Sequence, residues 1–461
     1  MSPALAVLAV LAAGDAPVKD VPLSLGEVVQ ATRELYPSLL AAQADVEAAG
    51  GERLSAAGAF DPVWRTRVTG VPVSVYPQVR VDSVIEAPTP LWGATFFGGY
   101  RIGRGKFQAY YGERETWSAG ELRAGAVVPV LRNGPIDRRR ATEARAVLAQ
   151  SIAGLAREQQ ELELLRLASF RYWEWVAAGM RRDVARSLLV IAKERDAQLA
   201  TRARVGDVAQ FDRQDNTRAL VQREALLVQA QRGLDAAAFE LSLFLRDPKG
   251  EPVMPAEARL VPLPDPPPAP GFDLDAALGR RPEVKRLIDQ QKAAEVELRF
   301  QQNQLLPALD LGVVVSGDLG TPNTSSLSPL GPAELEFNAV LDVPLLYRAP
   351  LGRIQAARAA LGRLGLQLRL ARDRAAMEVN DSSSALLAAR ERVVLARREV
   401  EVALQLENGE RKRFELGDSS LLFVNLREQT TVEAKLREID ALLDAHRAEA
   451  ALRAALALGL K

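Results

Sequence analysis

The 461-residue sequence lacks several residue types from which reactive sites are built. It contains no cysteine, which excludes disulfide bonds, thiolate metal sites and thiol nucleophiles. Its single histidine, His446, is too little for a histidine metal site or a catalytic triad, and we expect this residue in a helix seam or on the surface. We therefore predict no catalytic residue, no metal site and no cofactor, and interpret the chain as a protein without enzyme activity.

An excess of charge and a long apolar run are also lacking. With 59 basic and 59 acidic residues, the net charge of zero argues against nucleic acid as the main partner, which would need a basic surface. No apolar run reaches the roughly 20 residues that a membrane-spanning helix requires. A crossing of the membrane would therefore use strands. The apolar run Ala4 to Ala13 and the small residues after it predict a secretory signal over residues 1–16, although no Lys or Arg precedes the run.

What the sequence does contain is an internal duplication. Pro37 and Pro62 are 25 positions apart, as are Pro282 and Pro307, and each pair brackets a helical stretch rich in Ala, Glu and Gln. Further matches follow in the same order and include Pro129-Val130-Leu131 with Pro344-Leu345-Leu346, Arg138 with Arg353, and Val205-Gly206-Asp207 with Leu416-Gly417-Asp418. These matches predict a first repeat over residues 23–246, a proline-rich linker over 247–271 and a second repeat over 272–461.

Each repeat is predicted to run helix, strand, strand, long helix, glycine-containing turn, helix. The long helices extend from about Pro135 to Val205 and from Pro350 to Leu416, and 70 residues of helix measure about 105 Å at ~1.5 Å per residue. The shorter helices carry coiled-coil spacing, with leucines at 220, 227, 234 and 241. Helical composition alone leaves two classes open, an export duct and a soluble coiled-coil scaffold or adaptor.

The predicted strands show period-two alternation, most strictly over Glu334 to Ala339. Such a pattern places one face against an apolar medium and the other against water, as in an outer-membrane barrel or in an ordinary sheet on a core. Four principal strands are too few to close a membrane barrel, whereas three chains would supply twelve. The link from Gly70 to Ala119, rich in aromatics and glycine, has three open interpretations: longer strands, an extra hairpin, or interfacial aromatic residues.

In their duplicated order these features resemble the TolC-like outer-membrane efflux protein family, also called outer membrane factors, from about Leu23 to Leu458. The resemblance rests on Phe60-Asp61-Pro62 and Leu305-Leu306-Pro307 before a strand, on the Val-Pro-Val-Leu and Val-Pro-Leu-Leu transitions from strand to helix, and on the two glycine turns. It implies an α+β membrane protein, a homotrimer with a twelve-stranded outer-membrane β-barrel and a twelve-helix periplasmic tunnel. It also implies docking to a periplasmic adaptor (membrane fusion) protein and to an inner-membrane transporter of the RND or ABC type.

The resemblance also suggests site residues. The adaptor-contact turns by matching position are Val205, Gly206 and Asp207 in the first repeat, and Leu416, Gly417 and Asp418 in the second. Familiar members carry acidic residues six and nine positions after the second glycine, where this chain has Phe423 and Leu426. The first repeat instead has Asp212 and Asp215, which we expect to face the lumen near an aperture narrowed by Phe423. The alternative is that these acids are solvated charges at a helix start.

Overall fold

The computed structural model describes residues 21–107, 115–204, 210–322 and 333–459. Within these ranges the chain forms eight α-helices and six β-strands, and it divides into two compact units. The strand unit comprises residues 43–156 and 283–371, and the helical unit comprises the other described residues. The elements in chain order are α1 (Leu25–Leu35), α2 (Pro37–Ala57), β1 (Val63–Val71), β2 (Gln78–Pro88), β3 (Thr95–Gly105), β4 (Glu121–Pro129), α3 (Arg138–Arg204), α4 (Gln210–Ser242), α5 (Leu274–Arg280), α6 (Pro282–Asn303), β5 (Ala308–Asp318), β6 (Ala333–Asp342), α7 (Arg348–Glu415) and α8 (Leu421–Ala455).

The duplicated prolines mark helix boundaries. Tyr36 and Arg281, the residues before Pro37 and Pro282, have ψ angles of 123° and 121° and interrupt the helix. A residue before proline avoids the helical region because the proline ring collides with it, while proline itself fits the first helical position. Each predicted opening helix is therefore a pair, α1 with α2 and α5 with α6. The long helices are confirmed as α3 and α7, of 67 and 68 residues.

The strand unit holds one antiparallel sheet in the order β1-β2-β3-β4-β5-β6. The α+β class and the duplicated order are confirmed, but the expected count of four strands is wrong, because the described residues form six. The Gly70–Ala119 link contains the extra hairpin, β2 and β3, which pairs with β1 on one side and with β4 on the other. Glycine interrupts the alternation in β3 at Gly98, Gly99 and Gly103, so the sequence pattern alone does not identify this strand.

Aromatic and leucine side chains form the core of the helical unit. Trp175, Leu234 and Leu241 are almost completely buried, so the second part of the predicted heptad series is a packed seam. His446 is a buried seam residue, only 1% exposed, with its ring stacked on Trp173 at a centroid distance of 4.1 Å. Burial lowers the pKa of the His446 imidazole, although the hydrogen bond to the backbone opposes this effect.

The proline-rich segment 247–271 packs along the helical unit. His446 Nε2 donates a hydrogen bond to the Pro264 carbonyl at 2.9 Å; we assign it the proton because a carbonyl only accepts. The amide of Leu23 donates to the Arg259 carbonyl at 3.0 Å, and Leu263 is buried among the helices. This segment is therefore attached to the start of α1 and to α8 by hydrogen bonds, in addition to its apolar contacts.

A buried carboxylate joins four helices of the helical unit. Glu428 on α8 is 1% exposed, and its oxygens accept hydrogen bonds from Arg195 on α3, Arg223 on α4 and Arg411 on α7, at 3.0, 2.8 and 3.0 Å. Burial acts to raise the pKa of Glu428, but the hydrogen bond from Arg195 and the charges of the three arginines outweigh it and hold the pKa below its ordinary value. The ionised carboxylate is therefore the form that stabilises the folded helices.

We expect Glu428→Gln to lower the thermal unfolding temperature of the purified protein in detergent at about pH 7. Removing one partner of a buried charge network costs about 3–5 kcal/mol, since Arg195 and Arg223, with side chains only 12% and 9% exposed, stay largely out of water without their counter-charge. The pKa is depressed in the folded state, so this stabilisation is present above the ordinary pKa and is lost as the pH falls through the folded-state pKa. The difference between wild type and variant should therefore shrink as the pH falls below the ordinary glutamate pKa of 4.5.

Circular dichroism melting across this pH range measures the effect. Glu401→Gln serves as the matched control, because Glu401 is an exposed glutamate on α7. A Glu428→Gln protein that melts like the control at neutral pH would contradict a stabilising role for the network.

Candidate functional site: a sheet with one uncharged face

The pairing register brings side chains of the same character onto the same face of all six strands. Trp64 on β1 lies opposite Ile85 on β2, which lies opposite Gly98 on β3. The same row continues through Ala124 on β4 and Val315 on β5 to Leu335 on β6. Because alternate residues of a strand share a face, this face, here called the apolar face, is defined by the following residues: Trp64, Thr66, Val68, Val79, Val81, Ser83, Ile85, Phe96, Tyr100, Ile102, Leu122, Ala124, Ala126, Val128, Leu309, Leu311, Val313, Val315, Leu335, Phe337, Ala339 and Leu341.

The opposite face, here called the polar face, carries the charges. Thirteen of the fourteen charged side chains in the six strands lie on it, and the exception, Arg104, is at the end of β3. The Arg104 guanidinium donates to the Ser118 and Trp117 carbonyls and so turns back to the following loop. The polar-face charges are Arg65, Arg67, Arg80, Asp82, Glu86, Arg101, Glu121, Arg123, Asp310, Asp318, Glu334, Glu336 and Asp342.

Ion pairs connect the strands across the polar face. Arg65 on β1 contacts Glu86 on β2 at 3.0 Å, and Arg101 on β3 contacts Glu121 on β4 at 2.6 Å. A third pair, at 3.5 Å, joins Arg123 on β4 to Asp82 on β2. Five of these six side chains are partly exposed and Glu121 is buried, so the Arg65–Glu86 and Arg123–Asp82 pairs contribute little stability alone. What they show is that β2 and β3 share the charge pattern of the rest of the sheet.

The apolar face is uncovered in the single chain. Trp64 is 75% exposed and Phe337 is 72% exposed, and every residue of β6 is exposed. An ordinary sheet buries its apolar face on a core, whereas here large apolar side chains line the outside. Such an arrangement suits a sheet that has an apolar medium on one side and water on the other.

The Arg140 side chain positions the start of α3. The Arg140 guanidinium donates to the carbonyls of Asn133, Gly134 and Pro135, at 2.7, 2.8 and 3.2 Å. It therefore fixes the turn from strand to helix. The sequence showed only a basic cluster at this position, since the three carbonyl acceptors carry no signal of their own.

The second predicted adaptor-contact turn is a regular helix end. Gly417 has φ of +80°, its amide donates to the Phe414 carbonyl at 3.1 Å, and the Asp418 amide donates to the Arg413 carbonyl at 2.8 Å. This is the hydrogen-bond pattern of a Schellman motif. Leu416 is 84% exposed beside it. Adaptor contact stays a prediction for this turn, and Val205, Gly206 and Asp207 lie outside the described residues.

The predicted aperture residues are only partly described. Asp215 on α4 accepts hydrogen bonds from Arg218, one turn later, at 3.0 and 3.2 Å. Phe423 and Leu426 on α8 are both about half exposed, at 55% and 54%. Asp212 belongs to α4, but its side chain lies outside the described residues. A position around a common lumen stays a prediction for all of them.

In the described part of the chain, no helix combines the length and the apolar character needed to cross a membrane.

Comparisons with known proteins agree with this arrangement. The family model described as "Outer membrane efflux protein" matches residues 274–458. A search of the curated proteins finds no match. Among solved structures, the MtrE outer membrane channel of Neisseria gonorrhoeae is 15% identical, with 97% of this chain and 94% of that chain covered and a TM-score of 0.67. The outer membrane protein VceC of Vibrio cholerae is 16% identical, with 95% and 97% covered and a TM-score of 0.66. The CmeC outer membrane channel of Campylobacter jejuni is 12% identical, with 94% and 85% covered and a TM-score of 0.64.

The chain thus has the fold of outer-membrane channels over nearly its whole length. The outer membrane efflux protein model matches part of its second half, and the predicted resemblance to TolC-like proteins is confirmed. Members of this family are channel proteins rather than enzymes.

We expect Gly417→Ala to loosen the turn between α7 and α8. A side chain at this positive φ costs about 1–2 kcal/mol, so amide exchange at Gly417's position and at Asp418 should accelerate about 5- to 30-fold. Hydrogen–deuterium exchange of peptides spanning residues 410–425 measures the change.

Gly409→Ala is the matched control on the same helix. Gly409 is helical and an added Cβ there meets nothing within 4 Å, so alanine should stabilise α7 by about 0.5–1 kcal/mol. Equal exchange in the two variants would show that the positive φ of Gly417 places no constraint on the turn.

Proposed function

We propose that the chain is the passive outer-membrane exit duct of a multi-component efflux or type I secretion system. The observation that carries this proposal is the uncovered, uncharged face that runs through all six strands, with the charged face behind it. In the proposed duct the apolar face contacts lipid, and the polar face contacts a water-filled lumen. The family match over residues 274–458 supports the same conclusion.

The proposed duct is a homotrimer, as the resemblance implies, and the described residues of one chain leave both edges of the sheet open for further copies. The backbone groups at such edges have no partner in hydrocarbon, and another copy of the chain supplies one. The long helices α3 and α7, with α4 and α8, would form the periplasmic tunnel that receives substrate from a periplasmic adaptor and an RND or ABC inner-membrane transporter. Outer-membrane location and these partners are part of the proposal.

A soluble coiled-coil scaffold accounts less well for the sheet. In water, the exposed Trp64, Leu335 and Phe337 would form part of an apolar patch that a soluble monomer does not retain. The two classes predict different behaviour on fractionation.

The first test is fractionation of cells that express the tagged chain, followed by gel electrophoresis of unheated and heated samples. We expect the protein in the outer membrane as a detergent-stable species near three times 50.0 kDa, which heat converts to the monomer. A soluble monomer in the cytosol would refute the duct.

A pair of neighbouring valines tests the assignment of the two faces. Val313 lies on the apolar face and Val314 on the polar face of the same strand. Val313→Arg places a charge in lipid, at a cost of about 2–4 kcal/mol near the bilayer midplane, whereas the lumen tolerates Val314→Arg. We expect the first variant to lose most of its heat-sensitive trimer and the second to retain it. The opposite result, or equal loss in both, would contradict the orientation of the sheet.

We further propose that Asp212, Asp215 and Phe423 line the aperture, and that the turns 205–207 and 416–418 contact the adaptor. Three copies of each acid around one axis would attract cations. Asp212→Asn combined with Asp215→Asn should therefore weaken cation selectivity in planar bilayers, while Asp45→Asn on α2 should not. Unchanged selectivity would favour the reading of the two acids as solvated charges at the helix start.

A further inference from the structure

The β2–β3 hairpin of the first repeat has no counterpart among the described strands of the second repeat. In the second repeat, α6 leads into β5 and β6 and then into α7, so the described residues between these helices form two strands. In the first repeat, the described residues between α2 and α3 form four strands. β2 and β3 lie between β1 and β4, and the two strands that match the second repeat are therefore not neighbours in the sheet.

The lengths of the hairpin strands match the bilayer. β2 and β3 contain 11 residues each, and the other four strands contain 9 to 11. A tilted strand needs about 9–11 residues to cross the hydrocarbon layer. The hairpin strands are thus long enough to cross the hydrocarbon layer, as the other four strands are.

The side chains of the hairpin follow the two faces of the sheet. Val81 and Ile85 on β2 and Ile102 on β3 lie on the apolar face, while Asp82 and Arg101 lie on the polar face. The ion pairs Arg123–Asp82 and Arg101–Glu121 tie these polar side chains to β4. A hairpin that filled the lumen as a plug would meet water on both sides and would not need an uncharged face.

The two edges of the sheet are complementary in charge. The polar face of β1 carries Arg65 and Arg67, and that of β6 carries Glu334, Glu336 and Asp342. Because the six strands alternate in direction, β1 of one copy meets β6 of the next as an antiparallel pair. Opposite charges then face each other across the new seam, and such cross-strand pairs contribute about 0.2–1 kcal/mol each.

We propose that β2 and β3 form part of the barrel wall. Three copies of the chain, with β1 of each copy paired to β6 of the next, then close a barrel of eighteen strands instead of twelve. This inference rests on the proposed trimeric duct. Barrel diameter grows roughly in proportion to strand number, so the lumen would be about half again as wide as that of a twelve-stranded barrel. The added wall brings its own charges, Arg80, Asp82, Glu86 and Arg101, to the lumen.

Site-directed fluorescence tests the position of the hairpin. The chain contains no cysteine, so each single-cysteine variant carries one thiol for a bimane label. The labelled trimers are reconstituted in liposomes that contain lipids with a nitroxide quencher in the acyl chain. Hairpin variants are Ile85→Cys and Ile102→Cys on the apolar face and Glu86→Cys on the polar face. Matched positions outside the hairpin are Val313→Cys and Asn338→Cys, on the apolar and polar faces.

We expect the labels at 85 and 102 to be quenched as strongly as the label at 313, and the labels at 86 and 338 to be quenched several-fold less. Quenching at 313 but not at 85 and 102 would overturn the eighteen-stranded wall and leave the duct intact. Absence of quenching at 313 as well would remove the sheet from the membrane and refute the proposed function itself.

Discussion

Backbone hydrogen bonding at the two edges of the sheet is the constraint on which the rest of the proposed architecture depends. Within the described part of the chain, β1 and β6 each have one side without a neighbouring strand. In water these groups would bond to solvent, but in hydrocarbon each unpaired group costs several kcal/mol. The uncharged face argues that the sheet lies in hydrocarbon. Once that is granted, closure with further copies of the chain follows as a necessity.

The helical unit meets a different requirement. In the proposed duct the long helices would lie in water without the lipid that surrounds the sheet, and their alanine-rich seams bury small side chains. Glu428 with three arginines and His446 with the Pro264 carbonyl supply specific contacts where apolar burial alone is modest. These contacts fix which helix faces which, and the proline-rich segment adds a connection between the start of α1 and the end of the chain.

Much of this organisation could be predicted from the sequence, because its signals were local. Pro37 and Pro282 set the helix boundaries, and the strict alternation over Glu334–Ala339 identified β6. The β2–β3 hairpin is harder to predict, since Gly98 and Gly99 have no side chain whose polarity would indicate which face of the sheet it lies on. Three consecutive valines, Val313 to Val315, hide the alternation of β5 in the same way. The residues bonded to Glu428 could not be found, because Arg195 and Arg223 are more than 200 positions away in the sequence.

An electron cryomicroscopy map of the detergent-extracted assembly would test the central claim most directly. The account predicts a three-fold ring in which β1 of each copy pairs with β6 of the next, with the apolar face in the detergent belt and the polar face around the lumen. A sheet with free edges, or one whose apolar face is buried against protein, would contradict it.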